Sequence, residues 1–248
     1  MRRWNQRQQE LWLRSKRNWG KTESMRISQI FISTGLTGLL IAGAVALGQN
    51  PRNRAPLPNE QWVQLFNGKD LTNWHEVGKE KWTVEDGQIH GKAITKEYGY
   101  LETVKDYKDL HLSLRYKCVG DGNSGVFVHT RFKAGTADVS QGMQFEIDPT
   151  LNHHTGGLYG DGRGWIAWPS PEFEYVQHQS DWNDYLLKVE GNHFVARLNG
   201  VVILDFTDPS PKSFDGTIAL QLHAGGAGDM MFKDVYVRDL SVRDASGK

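Results

Sequence analysis

The chain has 248 residues and a formal net charge of zero, but the zero combines two unlike parts. Residues 1–48 hold eight basic side chains (Arg2, Arg3, Arg7, Arg14, Lys16, Arg17, Lys21, Arg26) against Glu10 and Glu23, which leaves 21 basic and 27 acidic residues, a net charge of −6, in the rest. An acidic body argues against nucleic acid or anionic membrane as partner, and a single cysteine, Cys118, excludes an internal disulfide, so the fold rests on its core.

Residues 27–48 carry no charge and end in Ala46-Leu47-Gly48 before Gln49. A basic flank, an apolar stretch and small residues at the cleavage position predict a secretory signal peptide, and Met25–Gly48 is a complete signal by itself. The alternative is an uncleaved anchor, since ~20 residues cross a bilayer; Ser33, Thr34, Gly35, Thr37 and Gly38 weaken it. No cysteine follows the apolar stretch, so a lipoprotein anchor is excluded. Either way the body is exported, to the periplasm or the medium, and an uncleaved N-terminal segment is its one expected membrane contact, holding it in the inner membrane. Gln49–Asn59 reads as a Pro-rich linker, and residues 60–243 as one folded domain.

From Trp62 the signals are β. Short alternating runs are predicted as strands at Trp62–Phe66, Trp82–Glu85, Gln88–Ile94, Tyr100–Thr103, Leu110–Val119, Gly125–Phe132, Gly142–Asp148, Asp184–Glu190, His193–Leu198, Val201–Phe206, Gly216–His223 and Met230–Val242. Turn pairs separate them, the strongest being Asn199-Gly200 between two apolar runs, a hairpin signal. A dozen strands at this spacing, each half apolar and half polar, imply an all-β sandwich or barrel whose sheets have one core face and one wet face. Pro149–Asp181 is the exception. It lacks clear strands yet holds Tyr159, Trp165, Trp168, Phe173 and Tyr175, so it reads as an ordered aromatic flap over one face.

The most informative stretch is Gln141–Asp148. Met143, Phe145 and Ile147 alternate with Gln144, Glu146 and Asp148, so one face is apolar and the other collects an amide and two carboxylates. Neighbouring carboxylates repel, and such a cluster suits an acid/base pair or a cation site as readily as an exposed acidic patch. His129 and Arg131 on the preceding strand, and Gln221 and His223 near the C-terminus, add imidazoles, a guanidinium and an amide, with Asn123 at a strand entry. Each alone is equally read as surface decoration; together they form a candidate site. Glu146, Asp148, His153 and His154 could ligate a metal but have no diagnostic spacing, so the metal stays unknown and a divalent cation is one option. No phosphate loop, nucleophile elbow or dinucleotide fingerprint is present.

Several of these stretches, in order, resemble the 3-keto-disaccharide hydrolase domain, a family first classed as of unknown function. They are Leu65–Leu71 with Trp74, Trp82–Gly87, Asn123–Val126, Gln144–Pro149, Thr155–Tyr159 with Gly164-Trp165, Trp182-Asn183, Asn199-Gly200 and Leu220–His223, spanning Trp62 to Leu240. The resemblance implies a concanavalin A-like jelly-roll β-sandwich of two curved antiparallel sheets, with a ligand on the concave face, in an exported protein acting on oxidised sugars. It departs from the family in one place: His129 stands where many relatives have an Arg near Asn-Ser-Gly, with Arg131 two positions on.

The implied reaction suits the residue types. A 3-keto group acidifies the C2 hydrogen; a base removes it, the C1 glycosidic oxygen leaves, and water adds to the enone. Glu146 or Asp148 is expected as base, His223 or His129 as acid, and Arg131 or a bound cation as enolate stabiliser. Asn123, Gln144, Gln221, Tyr159, Trp165 and Trp168 would hold the sugar of an oligosaccharide or glycoside. Two other readings stand beside this hydrolase of the lyase/hydratase type. One is a glucanase-like glycosidase, weakened because Thr150 occupies the place of the second carboxylate. The other is a non-catalytic carbohydrate-binding module.

Overall fold

The computed structural model describes residues 61–150 and 154–241. The expected signal or anchor and the linker lie outside the described residues, as does His153. Within the described residues no helix is long and apolar enough to cross a membrane.

The chain forms two antiparallel sheets. One runs β13-β12-β11-β6-β15-β4-β3, with β1 also on β15. Its strands are β1 (Val63–Gln64), β3 (Lys81–Glu85), β4 (Gln88–Lys92), β6 (Leu110–Cys118), β11 (Asn183–Glu190), β12 (His193–Leu198), β13 (Val201–Thr207) and β15 (Asp229–Asp239). The other runs β10-β9-β8-β7-β14-β5-β2. It is built from β2 (Trp74–Gly78), β5 (Gly99–Thr103), β7 (Ser124–Phe132), β8 (Val139–Ile147), β9 (Leu158–Gly160), β10 (Trp165–Ala167) and β14 (Thr217–Leu222).

Period-2 alternation explains how the sheets meet. Leu112, Leu114 and Tyr116 from β6 are buried against Met143, Phe145 and Ile147 from β8 and Ile218, Leu220 and Leu222 from β14, all in one apolar cluster. Cys118 joins this core as a free thiol, and burial pushes its pKa up to about 12. The opposite face of the eight-stranded sheet carries cross-strand pairs, His111 Nε2 to Glu190 at 2.8 Å and Arg115 Nε to Asp184 at 2.9 Å. The β12–β13 hairpin turns where the Asn199-Gly200 signal predicts it. Both residues have positive φ, 49° and 86°, as a two-residue turn that follows the strand twist requires.

Residues 149–181 differ from expectation. In place of a strandless flap, β9 and β10 extend the sheet beyond β8, and a 3-10 helix, Pro171–Val176, follows. Three-residue strands are too short to show alternation, which is why the stretch reads as a loop. Side chains fasten the new edge: Arg163 donates to both carboxylate oxygens of Asp208, and buried Asp161 accepts from Ser213 Oγ at 2.6 Å.

Candidate functional site

The outer face of the seven-stranded sheet gathers most of the expected residues in two cross-strand rows. Opposed residues share a face, so the register decides membership. One row is Trp165, Tyr159, Gln144, Phe127, Ala219 and Glu102; the other is Glu146, Gly125, Gln221, Tyr100 and Val77. The polar floor is not wet. Gln144, Glu146 and Gln221 are only 5%, 2% and 3% exposed, whereas Tyr98 and Tyr159 at the rim are 40% and 41% exposed. The face therefore has a buried polar floor flanked by more accessible aromatic side chains.

Glu146 is the centre of that floor. Asn123 Nδ2 donates to its Oε1, and Gln144 Nε2 donates to its Oε2 at 2.7 Å. Burial nonetheless pushes its pKa up to about 8; the Asn123 hydrogen bond opposes the shift and the Asp148 charge adds to it. Gly125, directly opposite, makes the arrangement fit. A Cβ there would lie 2.6 Å from Gln144 Nε2 and 2.7 Å from its Cγ, so the glycine is the space across which Gln144 reaches. On the other side the Glu146 amide donates to Gly157 O at 2.9 Å, and a Cβ on Gly157 would approach the Trp165 ring at 3.2 Å.

Asp148 follows one residue past the end of β8 and is 1% exposed. Its Oδ1 accepts from the Thr150 amide at 2.7 Å and the Thr150 hydroxyl at 2.6 Å, the geometry of an Asx turn. His223 lies beyond Gln221. Its Nδ1–H donates to Ala224 O at 2.8 Å, which leaves Nε2 as acceptor, 3.4 Å from the hydroxyl of Tyr98. The Tyr98 ring meets the imidazole edge-on at 4.9 Å. Burial first, then the charges of Tyr159 and Glu146, raise the Tyr98 pKa, so this phenol stays protonated and belongs to the same electrostatic neighbourhood as Glu146. Beside it Tyr100 is pushed up to about 12 by burial. At the β10 edge, Trp165 stacks on Trp168 at 4.0 Å and meets Tyr159 edge-on at 5.2 Å.

Two expected residues are not brought to Glu146. Strand β7 carries a bulge between Val128 and Arg131, and His129 sits in it with φ 55°. The extra residue breaks the alternation. His129 is 1% exposed and its Nε2–H donates to Lys108 O at 2.7 Å, towards the chain entering β6 of the other sheet. Arg131 is held by Asp106 through two bonds of 2.7 Å and by Asp215 at 3.1 Å. It stands six residues along β7 from Gly125, ~20 Å at the strand rise. Neither group reaches the carboxylate. Conversely, Tyr98 and Tyr100 reach the site without having been among the sequence candidates; Tyr100 alternates with Leu101 on a predicted strand, which was the available signal. Among the described residues no three His, Cys, Asp or Glu side chains gather to hold a metal ion. His154 Nδ1 lies 2.5 Å from Glu174, packed against Trp168 rather than at the floor.

The profile of the 3-keto-alpha-glucoside-1,2-lyase-like domain matches residues 61–238. The chain belongs to this family. A 3-keto-disaccharide hydrolase of Bacteroides thetaiotaomicron (strain VPI-5482) is similar to the lyase-like domain, 32% identical over 82 residues, which are 29% of this chain and 28% of that protein. The chain thus matches under a third of that curated relative's length. Among solved structures, a proposed glycosyl hydrolase from Parabacteroides distasonis superposes with a TM-score of 0.58 at 22% identity, covering 75% of this chain and 98% of that one. A Bacillus subtilis protein of unknown function with a galectin-like fold gives 0.56 at 15% identity, over 72% and 94%. At these identities the likeness is one of fold, and it makes the lyase-like domain a jelly-roll sandwich of the kind the sequence resemblance implies.

Proposed function

We propose that the lyase-like domain is an exported enzyme that cleaves 3-keto-glycosides at the floor around Glu146. The observation that carries the reading is Glu146 itself: a carboxylate buried on the outer face of a sheet, clamped by two amides, with a pKa of about 8. A carboxylate that basic is well matched to remove a proton near neutral pH. Glu146 takes the C2 proton of the sugar; the electron pair moves towards the C3 carbonyl and then expels the C1 oxygen. The departing oxygen needs a proton. Tyr98, hydrogen-bonded towards His223 Nε2, is the donor best placed to supply it. Charge developing on the C3 oxygen needs a neutral or positive partner, and the Tyr100 phenol, protonated at any ordinary pH, offers one. Water then adds across C1 and C2, its oxygen at C1, giving the free 3-keto sugar. Tyr159, Trp165 and Trp168 present ring faces and edges on which a pyranose can stack.

The test is incubation of the purified protein with methyl 3-keto-α-glucoside. Release of methanol and free 3-keto-glucose is expected, abolished in Glu146→Gln and strongly reduced in Tyr98→Phe; full activity in Glu146→Gln removes Glu146 from the chemistry. A second reading, a sugar-binding module without turnover, is favoured by the exposed aromatic rim and the galectin-like neighbour. Binding of plain glucosides with no cleavage of 3-keto sugars would establish it.

A further inference from the structure

Two carbonyl oxygens in the floor have no donor. Asn123 Oδ1 and Gln221 Oε1 are buried atoms without a hydrogen-bond partner. Each belongs to an amide whose other end points at the site: Asn123 Nδ2 holds Glu146, and Gln221 Nε2 lies 3.4 Å from the hydroxyl of Tyr100. A buried acceptor left unpaired is destabilising, and such groups call for an explanation. Here both belong to residues of the outer-face cluster around Glu146.

We infer that Asn123 and Gln221 are specificity-determining acceptors that select a sugar presenting hydroxyl donors on both sides of the reacting carbon. The inference rests on the reading of this face as a glycoside site. The register sets the spacing. Gln221 on β14 and Glu146 on β8 are separated by Gly125 of β7, two strand steps or ~9.5 Å between backbones. Because Gly125 has no side chain, β7 puts nothing between them, and only the arm of Gln144 from β8 reaches over it. A hexopyranose lying above the Gln144 arm would span that interval. With the C2 hydrogen at Glu146, the C2 hydroxyl falls to Asn123 Oδ1. A hydroxyl on the opposite side of the ring, at C4 or C6, falls to Gln221 Oε1. The oxidised carbon, an acceptor only, has no use for either amide oxygen, so the two carbonyls read hydroxyls on either side of it.

The experiment is calorimetric titration of the full chain with methyl α-glucoside and its 4-deoxy and 6-deoxy forms. It compares the unsubstituted protein with Gln221→Met, of equal length but without the acceptor, and Gln221→Glu, which keeps an acceptor oxygen. One deoxy sugar should bind the unsubstituted protein about 2- to 12-fold more weakly than the parent sugar, the worth of one hydrogen bond. That penalty should vanish in Gln221→Met and persist in Gln221→Glu, with melting temperatures showing all three folded. Equal binding of all three sugars, a penalty unchanged in Gln221→Met, a penalty lost in Gln221→Glu, or no binding of any of them overturns the inference. Turnover is scored separately on methyl 3-keto-α-glucoside. The expected deoxy pattern without cleavage defeats the proposed reaction and leaves the two acceptors standing; cleavage without the pattern does the reverse.

Discussion

Replacing Glu146 by Gln should remove activity and stabilise the fold at alkaline pH. The folded-state pKa is raised from 4.5 to about 8, so the sign runs against the usual carboxylate. Below pH 4.5 the group is neutral in both states and contributes nothing. Between pH 4.5 and 8 the unfolded chain gives up the proton while the folded one keeps it, and stability falls as pH rises. Above pH 8 the folded protein carries the full cost of a charge on the floor. At 1.36 kcal/mol per pH unit the difference is ~5 kcal/mol at most, and relaxation of the surroundings about the buried charge reduces it to about 2–4 kcal/mol. Gln has the same shape and no charge. It places an amine against either Asn123 Nδ2 or Gln144 Nε2, but Asn123 can rotate its amide and offer the oxygen that now has no partner. The isostere therefore fits with little conflict. Urea unfolding of both proteins at pH 5, 7 and 9 measures the effect. The two should be nearly equal at pH 5, and the variant more stable by about 2–4 kcal/mol at pH 9, roughly 4–16 °C in Tm for a domain of this size. Parallel pH dependences in the two proteins would refute the premise that Glu146 is a buried, elevated carboxylate.

Three further outcomes follow from the same geometry. If Glu146 is the base, kcat/KM should climb about tenfold per unit from pH 6 to 7 and level off near 8; a profile flat from pH 6 to 9 contradicts that role. Gly125→Ala should push Gln144 off Glu146, since the new Cβ would stand 2.6 Å from Nε2. Turnover should fall about tenfold or more while urea midpoints show a loss of about 1–3 kcal/mol, because the Gln144 side chain from Cγ outward, and not backbone, must yield; unchanged kinetics would show that the Gln144 clamp is dispensable. Arg131→Met should leave turnover unchanged and cost about 1 kcal/mol of stability through the loss of the half-exposed Asp106 and Asp215 pairs; a collapse in kcat with normal stability would return Arg131 to the mechanism.

How far the site can be read from the chain depends on where period 2 holds. On β8 it holds without interruption, so Met143, Phe145 and Ile147 face the core and Gln144 and Glu146 share the outer face as expected. Alternation says which face a residue takes, not whether water reaches it. Burial of the floor depends on neighbouring side chains that alternation does not reveal, and the three-residue strands β9 and β10 leave no periodic trace. On β7 the alternation fails at one residue. Counting by twos from Phe127 puts His129 and Arg131 beside it, but the bulge inserts a residue, turns the imidazole towards Lys108 and leaves the guanidinium to two aspartates at the far end of the strand. A bulge at a non-glycine residue has no reliable sequence mark, so the error is intrinsic to pattern reading.

The same failure explains what took the place of those two residues. The proposed reaction needs a proton donor and a partner for the enolate oxygen, for which the sequence offers His129 or His223 and Arg131. With His129 and Arg131 held elsewhere, the groups left on the outer face are phenols: Tyr98 against His223, and Tyr100 between Gln221 and Phe127. Phenols are inconspicuous in a strand, where an aromatic ring is ordinarily read as packing. Their burial, however, raises their pKa values and keeps them neutral donors over the pH range in which Glu146 becomes a base. Desolvation thus separates the two roles on one floor: it lifts the carboxylate to where it can accept a proton near neutrality, and it keeps the phenols protonated, so that Tyr98 still has a proton to give to the more basic departing oxygen.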